Sequence, residues 1–579
     1  MKLKHIFGFA ALMSLGLTGC SDQMDYHEYR VNDDDFVKRD FGQVGAFATH
    51  IYRDLDYDWG QMYGGASLCS ATDEAVFSHV GNQIESYYNG SWGPTNANNS
   101  IWGTCWDAIS YCNLFLTDYV GLEFPEHKLE KDYQDQMIKY NNYEWEIRFM
   151  RAYFYFLLVR QYGSVPLITE SLNAEDANNA QQASIDEIFK FIDDECAVIK
   201  DNIIQEYTGA YISLESEPGR VNNLGVLALR ARAALYHASP LFAENSEIDS
   251  KELWHQAALR SFECINECRK RNMRLASNYA KLFDISNWND SEATKEIIFA
   301  RRLAASNSFE TYNFPIGMNN AKGGNCPTEN LVSAYETLNG LSIDDPSNDQ
   351  YDPQNPYANR DSRLAATVAV NGEKFPDALP NAVLETWYGG ANSRSVAYGT
   401  PTGYYLKKYV DRMAVISGNS QASNRHTWIL FRLGQVYLDY AEAMLNYTGS
   451  GYLTADDLTM TAADAINTVR TRAGQPNLPT GLSFTEFEKR YENERFVELA
   501  FEGHRMFDVR RWKKAQQYFE NIKVMEITKN ADESFTYTPV LNPSYITKRT
   551  WPGDKGYFWP FPQSEILKAG NLKQNTGWQ

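Results

Sequence analysis

The residues best equipped for chemistry lie together. Asn493 to Trp512, NERFVELAFEGHRMFDVRRW, holds Glu494, Glu498, Glu502, His504, Arg505, Asp508, Arg510 and Arg511. Carboxylates, an imidazole and guanidinium groups in one short run are the groups that transfer protons, bind phosphate or ligate a metal. Their spacing points elsewhere. Residues three or four apart meet on a helix, and Glu498, Glu502, Arg505, Asp508 and Arg511 step by 4, 3, 3 and 3. On one helix they make a ladder of ion pairs beside an apolar line of Phe496, Leu499, Gly503 and Met506. A catalytic carboxylate needs surroundings that push its pKa toward its task, and a ladder of opposite charges does the reverse. The expectation is a structural helix, with no catalytic residue in it.

The rest of the chain supplies little other chemistry. It has no G-x-x-x-x-G-K-[ST], G-x-G-x-x-G, H-E-x-x-H or G-x-S-x-G pattern, and its 9 histidines are scattered. Cys264 and Cys268 sit one helical turn apart, but no His or Cys pair at ligand spacing completes a zinc site. With Cys69, Cys105, Cys112, Cys196 and Cys326 they predict buried free thiols, not a disulfide framework. The loop 343–354 offers Asp344, Asp345, Asp349 and Asp352, oxygen ligands that suit calcium. It lacks the Gly and terminal Glu of an EF-hand loop, so a solvated loop and no cofactor are expected. A surface glycoside hydrolase would need two carboxylates facing each other across a cleft, and no motif singles out a pair among the 74 acids.

These residues sit in a chain that reads mostly as helix. VNNLGVLALRARAALYHASPLF places Leu224, Leu227, Ala228, Ala231, Leu235 and Ala238 on one face, with alanines that let a neighbouring helix approach closely. EWEIRFMRAYFYFLLVRQYG ends at Gly163 with Pro166 behind it. SIDEIFKFIDDECAVIKDNI opens on a capping box of Ser184 and Glu187. ILFRLGQVYLDYAEAMLNY repeats Phe431, Leu438, Ala441 and Leu445 and reads as helix throughout. Helices at 143–162 and 184–204, 221–243 and 252–271, and 427–446 and 460–473 form pairs of tetratricopeptide size, which predicts an all-α fold.

Between 276 and 425, Gly, Asn, Pro and Ser punctuate short apolar runs, predicting a loop-rich subdomain with a few short strands. A second such stretch, SYYNGSWGPTNANNS at 86–100, interrupts the N-terminal helices. The expected organisation is a leader at 1–19, a helical region at 20–275, the loop-rich subdomain at 276–425 and a helical region at 426–579. Long loops on a rigid helical scaffold are where binding residues concentrate.

MKLKH and the apolar run IFGFAALMSLGL have the form of a signal peptide. LTGC, Leu17 to Cys20, resembles a bacterial lipobox, which predicts an exported protein held to a membrane by an acylated Cys20. The formal net charge is −20, and −22 once Lys2 and Lys4 leave with the leader. Such a surface repels phosphate backbones and argues against nucleic acid as a partner.

The opening stretch resembles the signature of the RagB/SusD family of outer-membrane glycan-binding lipoproteins, ERxxELxFEGxRxxDLxRW, with Val509 in place of Leu. Four more segments agree in order. EIRFMRAYFYFLLVRQYGSVPLIT is similar to the family's ExRxLRAxxYFxLVxxYGxVPL, and YANRDSRL to NRDPRL with Ser362 for Pro. ILFRLGQVYLDYAEAMLN resembles RLAEVYLxYAEAxN apart from Gly434 and Gln435. FWPFPQSEILKAGNLKQNTGW resembles PIPxxEIxxNxxLxQNPGY apart from Phe561, Thr576 and Trp578. The resemblance implies a tetratricopeptide-like scaffold without catalytic activity, anchored in the outer membrane and facing the cell exterior. It implies capture of oligosaccharide or polysaccharide for a SusC-like TonB-dependent transporter. Peptide capture or scaffolding beside such a transporter is the alternative.

A sugar binder needs exposed aromatic platforms for C–H faces and polar side chains for the hydroxyl rim. The 86–100 loop offers Tyr87, Tyr88, Trp92, Asn96, Asn98 and Asn99, and the family's glycan binders use aromatics from this region. Tyr88, Trp92, Asn96 and Asn98 are the leading candidates. Trp288, Tyr312, Asn313, Trp387 and Tyr388 join them from polar or Gly-flanked loops of the 276–425 subdomain. Trp102, Trp106 and Tyr111 fall on a helix and are expected in the core.

Overall fold

The computed structural model describes residues 34–98, 100–207, 219–318, 320–379, 381–418, 421, 423–455 and 457–579. The leader, Cys20 and Asn99 lie outside the described residues.

The long helices are α1 (Phe41–Ile51), α2 (Trp102–Asp118), α3 (Tyr133–Tyr162), α4 (Ile185–Asn202), α5 (Asn223–Ala238), α6 (Ser250–Lys270), α7 (Leu433–Thr448), α8 (Ala462–Arg472) and α9 (Phe484–Glu498). From α2 to α8 each packs on the next, so every helix buries its apolar stripe against its sequence neighbours, as in a helical repeat array. The predicted pairs are present, with α3 extended back to Tyr133 and the helix expected over 221–243 ending at Ala238, before a separate turn of helix at Pro240–Ala243. Ser184 and Glu187 close their capping box over α4, and Gly163 ends α3 with a φ of 72°. Helix α5 is buried on every side, Arg230 and Arg232 included. All described cysteines are buried and free. No described helix is long and apolar enough to cross a membrane.

Short antiparallel ladders join distant loops. β1 (Ala75–Phe77) pairs with β3 (Asn325–Pro327), β2 (Ile297–Arg302) with β4 (Thr427–Arg432), and β5 (Lys523–Lys529) with β6 (Phe535–Leu541). Strand β4 corrects the sequence reading, because TWILFR is strand and α7 starts only at Leu433. All of β4 is buried, and a short apolar run buried on both faces has no period that separates strand from helix. The β2–β4 ladder ties the segment that follows α6 to the start of α7.

The stretch 493–512 is also not one helix. Helix α9 stops at Glu498, Phe501 and Gly503 take φ of 61° and 78°, and α10 (Arg505–Arg511) starts afresh. The turn breaks the ladder and sends its charges outward to other segments. Glu498 meets Arg363 and Arg432, each at 2.7 Å, and also Arg472. Glu502 meets Arg432 and Lys408, each at 2.7 Å. Arg505 pairs with Asp73 at 2.7 Å and Arg511 with Glu442 at 2.6 Å. Of the predicted rungs, Asp508–Arg511 survives at 2.9 Å. These groups are buried. Burial alone would raise the Glu498 carboxyl, but the guanidinium groups of Arg472, Arg432 and Arg363 outweigh it and hold it well below the usual carboxylate range. The stretch is a hub that fastens β4, α8, the 361–363 turn and the 73–74 segment to one another.

Candidate functional site

The 86–100 loop turns its aromatics inward. Trp92 is 6% exposed and meets Tyr87, Trp559 and Trp578 edge to face at 5.0, 5.3 and 4.9 Å. Tyr88 is buried with the Arg549 guanidinium 4.7 Å from its ring centroid. The Gln563 N–H donates to the Pro94 carbonyl and the Thr550 N–H to the Tyr88 carbonyl, sewing the loop to the C-terminal segment. Asn98 is buried, accepting from the Gln83 side-chain amide at 2.6 Å and donating to the Gln83 carbonyl at 2.8 Å. Asn96 donates to the Ser91 carbonyl and closes the local turn. Asn313 is buried too, its Oδ1 accepting from the backbone N–H and the side-chain amide of Asn325.

These contacts correct the expectation for Tyr88, Trp92, Asn98 and Asn313, whose side chains shape the loops from within and are not offered to solvent. A Gly- and Asn-rich sequence predicts an irregular backbone. It does not say which side chains the loop folds beneath itself.

The two most exposed aromatics among the described residues, Tyr388 and Tyr398, lie on the loop 385–400, which meets the end of β1 and the segment that carries Tyr312 and Lys322. His79 follows β1 and stacks on Tyr398, ring centroids 4.1 Å apart and planes at 13°. The His79 Nε2–H donates to the Lys322 carbonyl at 2.6 Å. This holds the imidazole in place while Tyr398 stays 54% exposed. Gly323 permits the approach, since a Cβ there would stand 2.4 Å from the Tyr398 carbonyl oxygen. Tyr398 has a φ of 63°, a left-handed conformation that costs a tyrosine on the order of 1 kcal/mol or more. The bridge between Ser393 and Thr400 holds the strained tip.

Two further clusters adjoin this stack. The Lys322 ammonium lies 4.5 Å from the Tyr312 ring centroid, and Tyr312 rests on Gly65, where any Cβ would collide at 2.2 Å. Arg394, on the same loop as Tyr398, lies between Tyr388 and Tyr545 at 4.7 and 4.1 Å from their centroids. Glu526 tethers it at 3.2 Å and accepts from the Tyr545 hydroxyl at 3.1 Å. Tyr388 is 60% exposed, its backbone N–H donating to the Ile527 carbonyl. Trp387 is half-buried, with the Lys529 ammonium 5.4 Å from its ring. Trp288 joins neither cluster and lies under the Arg302 guanidinium at 3.9 Å.

Of the predicted residues, Tyr312, Trp387 and Tyr388 therefore come to these loops. His79, Lys322, Arg394, Tyr398 and Tyr545 were not foreseen. The segment SRSVAYG carried a signal for two of them, an Arg and a Tyr in a small-residue loop. His79 carried none, because its place comes from β1 pairing with β3, distant in sequence.

The face presents flat rings flanked by N–H donors, which suits an apolar C–H surface rimmed with hydroxyls. Among the described residues no group of three or more His, Cys, Asp or Glu is placed to hold a metal ion. In the acidic loop, Asp345 and Asp352 accept from the backbone N–H groups of Ser347 and Gln354.

Loops carried on a rigid helical scaffold are where binding residues concentrate. Residues 295–578 match the model described as the SusD family, and residues 52–208 match one described as starch-binding associating with outer membrane. The chain belongs to the SusD/RagB family. SusD-like protein P2 of Formosa agariphila is 25% identical over 453 residues, 76% of this chain and 75% of that protein. A SusD-like protein from Bacteroides fragilis has a TM-score of 0.74 at 22% identity, covering 94% of this chain and 99% of its own. A SusD-like carbohydrate binding protein from the same species has a TM-score of 0.71 at 22% identity, covering 93% and 100%. At such identities the solved structures establish a shared fold.

Proposed function

We propose that the protein captures an oligosaccharide or polysaccharide on the His79–Tyr398 face and passes it, unaltered, to a SusC-like TonB-dependent transporter in the outer membrane. The observation that carries this reading is the solvent-facing Tyr398 ring, already stacked on His79 in a strained loop. A platform that needs no reordering loses less entropy on binding, and its apolar face matches the C–H surface of a sugar. Tyr312, Trp387 and Tyr388 extend it. The carbohydrate-binding relative and the starch-binding description of the N-terminal model support a sugar ligand over a peptide. The lipobox-like LTGC and the outer-membrane description support a protein anchored through Cys20 and facing the exterior.

The test is electrophoresis of the mature chain through gels containing single polysaccharides, beside Tyr398→Ala. The expected result is retardation by at least one glycan, weakened about tenfold in the variant, or about 1.4 kcal/mol. Retardation that the variant leaves intact would move the site to another surface. No retardation by any glycan would favour peptide capture or scaffolding.

A further inference from the structure

The rings of this face are not bare. Lys322 covers Tyr312, His79 backs Tyr398, Arg394 fills the space between Tyr388 and Tyr545, and Lys529 approaches Trp387. On a chain with net charge −20, this places Lys322, Arg394 and Lys529 on one face, Arg394 paired with Glu526 and Lys529 with Glu533. In the core Arg432 is matched by Glu296, Glu498 and Glu502, while Arg510 and Arg549 donate to backbone carbonyls. On the face the match is incomplete. Among the described residues no carboxylate lies within ion-pair distance of Lys322 or of Lys548, both exposed. Lys548 lines a hollow of about 760 Å³ with Val80, Glu520 and Tyr545, and Tyr545 is the ring that Arg394 lies against. The acids nearby are engaged: Glu526 holds Arg394 and Tyr545, Glu85 accepts from the Gly81 N–H and the Thr547 hydroxyl, Glu385 accepts from the Ala391 N–H, and Glu520 in the same hollow accepts from the Trp551 N–H.

We infer that the captured glycan is anionic, bearing carboxylate or sulfate groups that Lys322, Arg394 and Lys548 receive while its sugar rings stack on Tyr398 and Tyr388. The inference rests on the proposed capture function. A neutral hexose chain is served by rings and amides and makes no use of an uncompensated ammonium. A charged substituent gains a charge-assisted hydrogen bond, stronger than a neutral one. Arg394 is suited to this because two tyrosines fix its plane and Glu526 takes one edge of the fork, leaving N–H groups in a fixed array. The overall negative charge then rejects polyanions everywhere except at this patch.

The test is titration calorimetry of the mature chain with polygalacturonate, a sulfated galactan, neutral galactan and starch, at 50 and 500 mM salt, beside a Lys322→Gln/Arg394→Gln double variant. Both side chains are at the surface, so the variant should melt with wild type. The expected result is binding of at least one anionic polymer at least about tenfold tighter than of either neutral one, weakened by salt and weakened about tenfold in the double variant, or about 1.4 kcal/mol. Polygalacturonate alone would assign a carboxylate ligand, and the sulfated galactan alone a sulfate. Salt-insensitive binding of a neutral polymer, unchanged in the double variant, would overturn the inference and leave the capture function standing. No binding of any of the four would count against both.

Discussion

The indole of Trp92 meets that of Trp578 edge to face at 4.9 Å, and both pack in one aromatic cluster with Trp559 and Tyr87. The contact rivets the 86–100 loop to the last residues of the chain. A tryptophan in a Gly- and Pro-broken loop is thus committed to the scaffold that carries the recognition loops beside it.

Trp92→Ala should therefore act on stability. Emptying so large a buried site costs about 3–5 kcal/mol, which denaturant unfolding would register as a lower midpoint. The protein that remains folded should keep its glycan affinity. A variant of normal stability that had lost glycan retention would return Trp92 to the ligand.

The buried ion hub makes a second prediction. Glu498→Gln leaves Arg363, Arg432 and Arg472 facing a neutral amide in the core. Breaking a buried charge network by removing one partner costs about 3–5 kcal/mol. A shift smaller than about 1 kcal/mol in guanidinium unfolding would mean that water reaches the network.

Acid should act on the same hub. Glu498, Glu502, Asp508 and Glu442 are held below their ordinary values, as burial is outweighed by neighbouring cations. Groups depressed in the fold contribute stability above their unfolded pKa, about 4. That contribution is lost as pH falls through their folded values. Unfolding free energy should drop steeply below about pH 4, and less steeply in Glu498→Gln.

Glu74 works in the opposite direction. Burial raises its carboxyl to about 7, against the pull of the Phe501 N–H and Arg505. Between its unfolded value, about 4.3, and 7 the group ionises in the unfolded chain while staying protonated in the fold, so rising pH favours unfolding across that window. The penalty is complete above 7. Glu74→Gln should thus stabilise the protein more at pH 8 than at pH 5, by urea unfolding at both. An equal effect at the two pH values would refute the assignment.

Parts of this structure were legible because their causes are local. Ser184 and Glu187 declare a helix start within four positions, and Gly163 with Pro166 a stop. The succession of helix pairs followed from periodicity, and the family from motifs in order. What escaped depends on distant partners. β4 is strand because β2 lies beside it, though its apolar run also suited a helix. The signature stretch breaks at Phe501, whose N–H donates to Glu74, and its acids are matched by arginines from three other segments. Trp92 and Tyr398 sit in similar loop sequences, and only the packing of the whole chain makes one a rivet and the other a platform.

The most direct measurement uses the φ of 63° at Tyr398. Glycine adopts that conformation without strain, so Tyr398→Gly removes the platform while holding the loop. The retained glycan would be titrated calorimetrically into wild type and Tyr398→Gly, with melting curves recorded for both. The account predicts stability within about 1 kcal/mol of wild type and an affinity loss of about tenfold or more. Unchanged affinity in an equally stable variant would contradict it and remove the His79–Tyr398 face from the binding site.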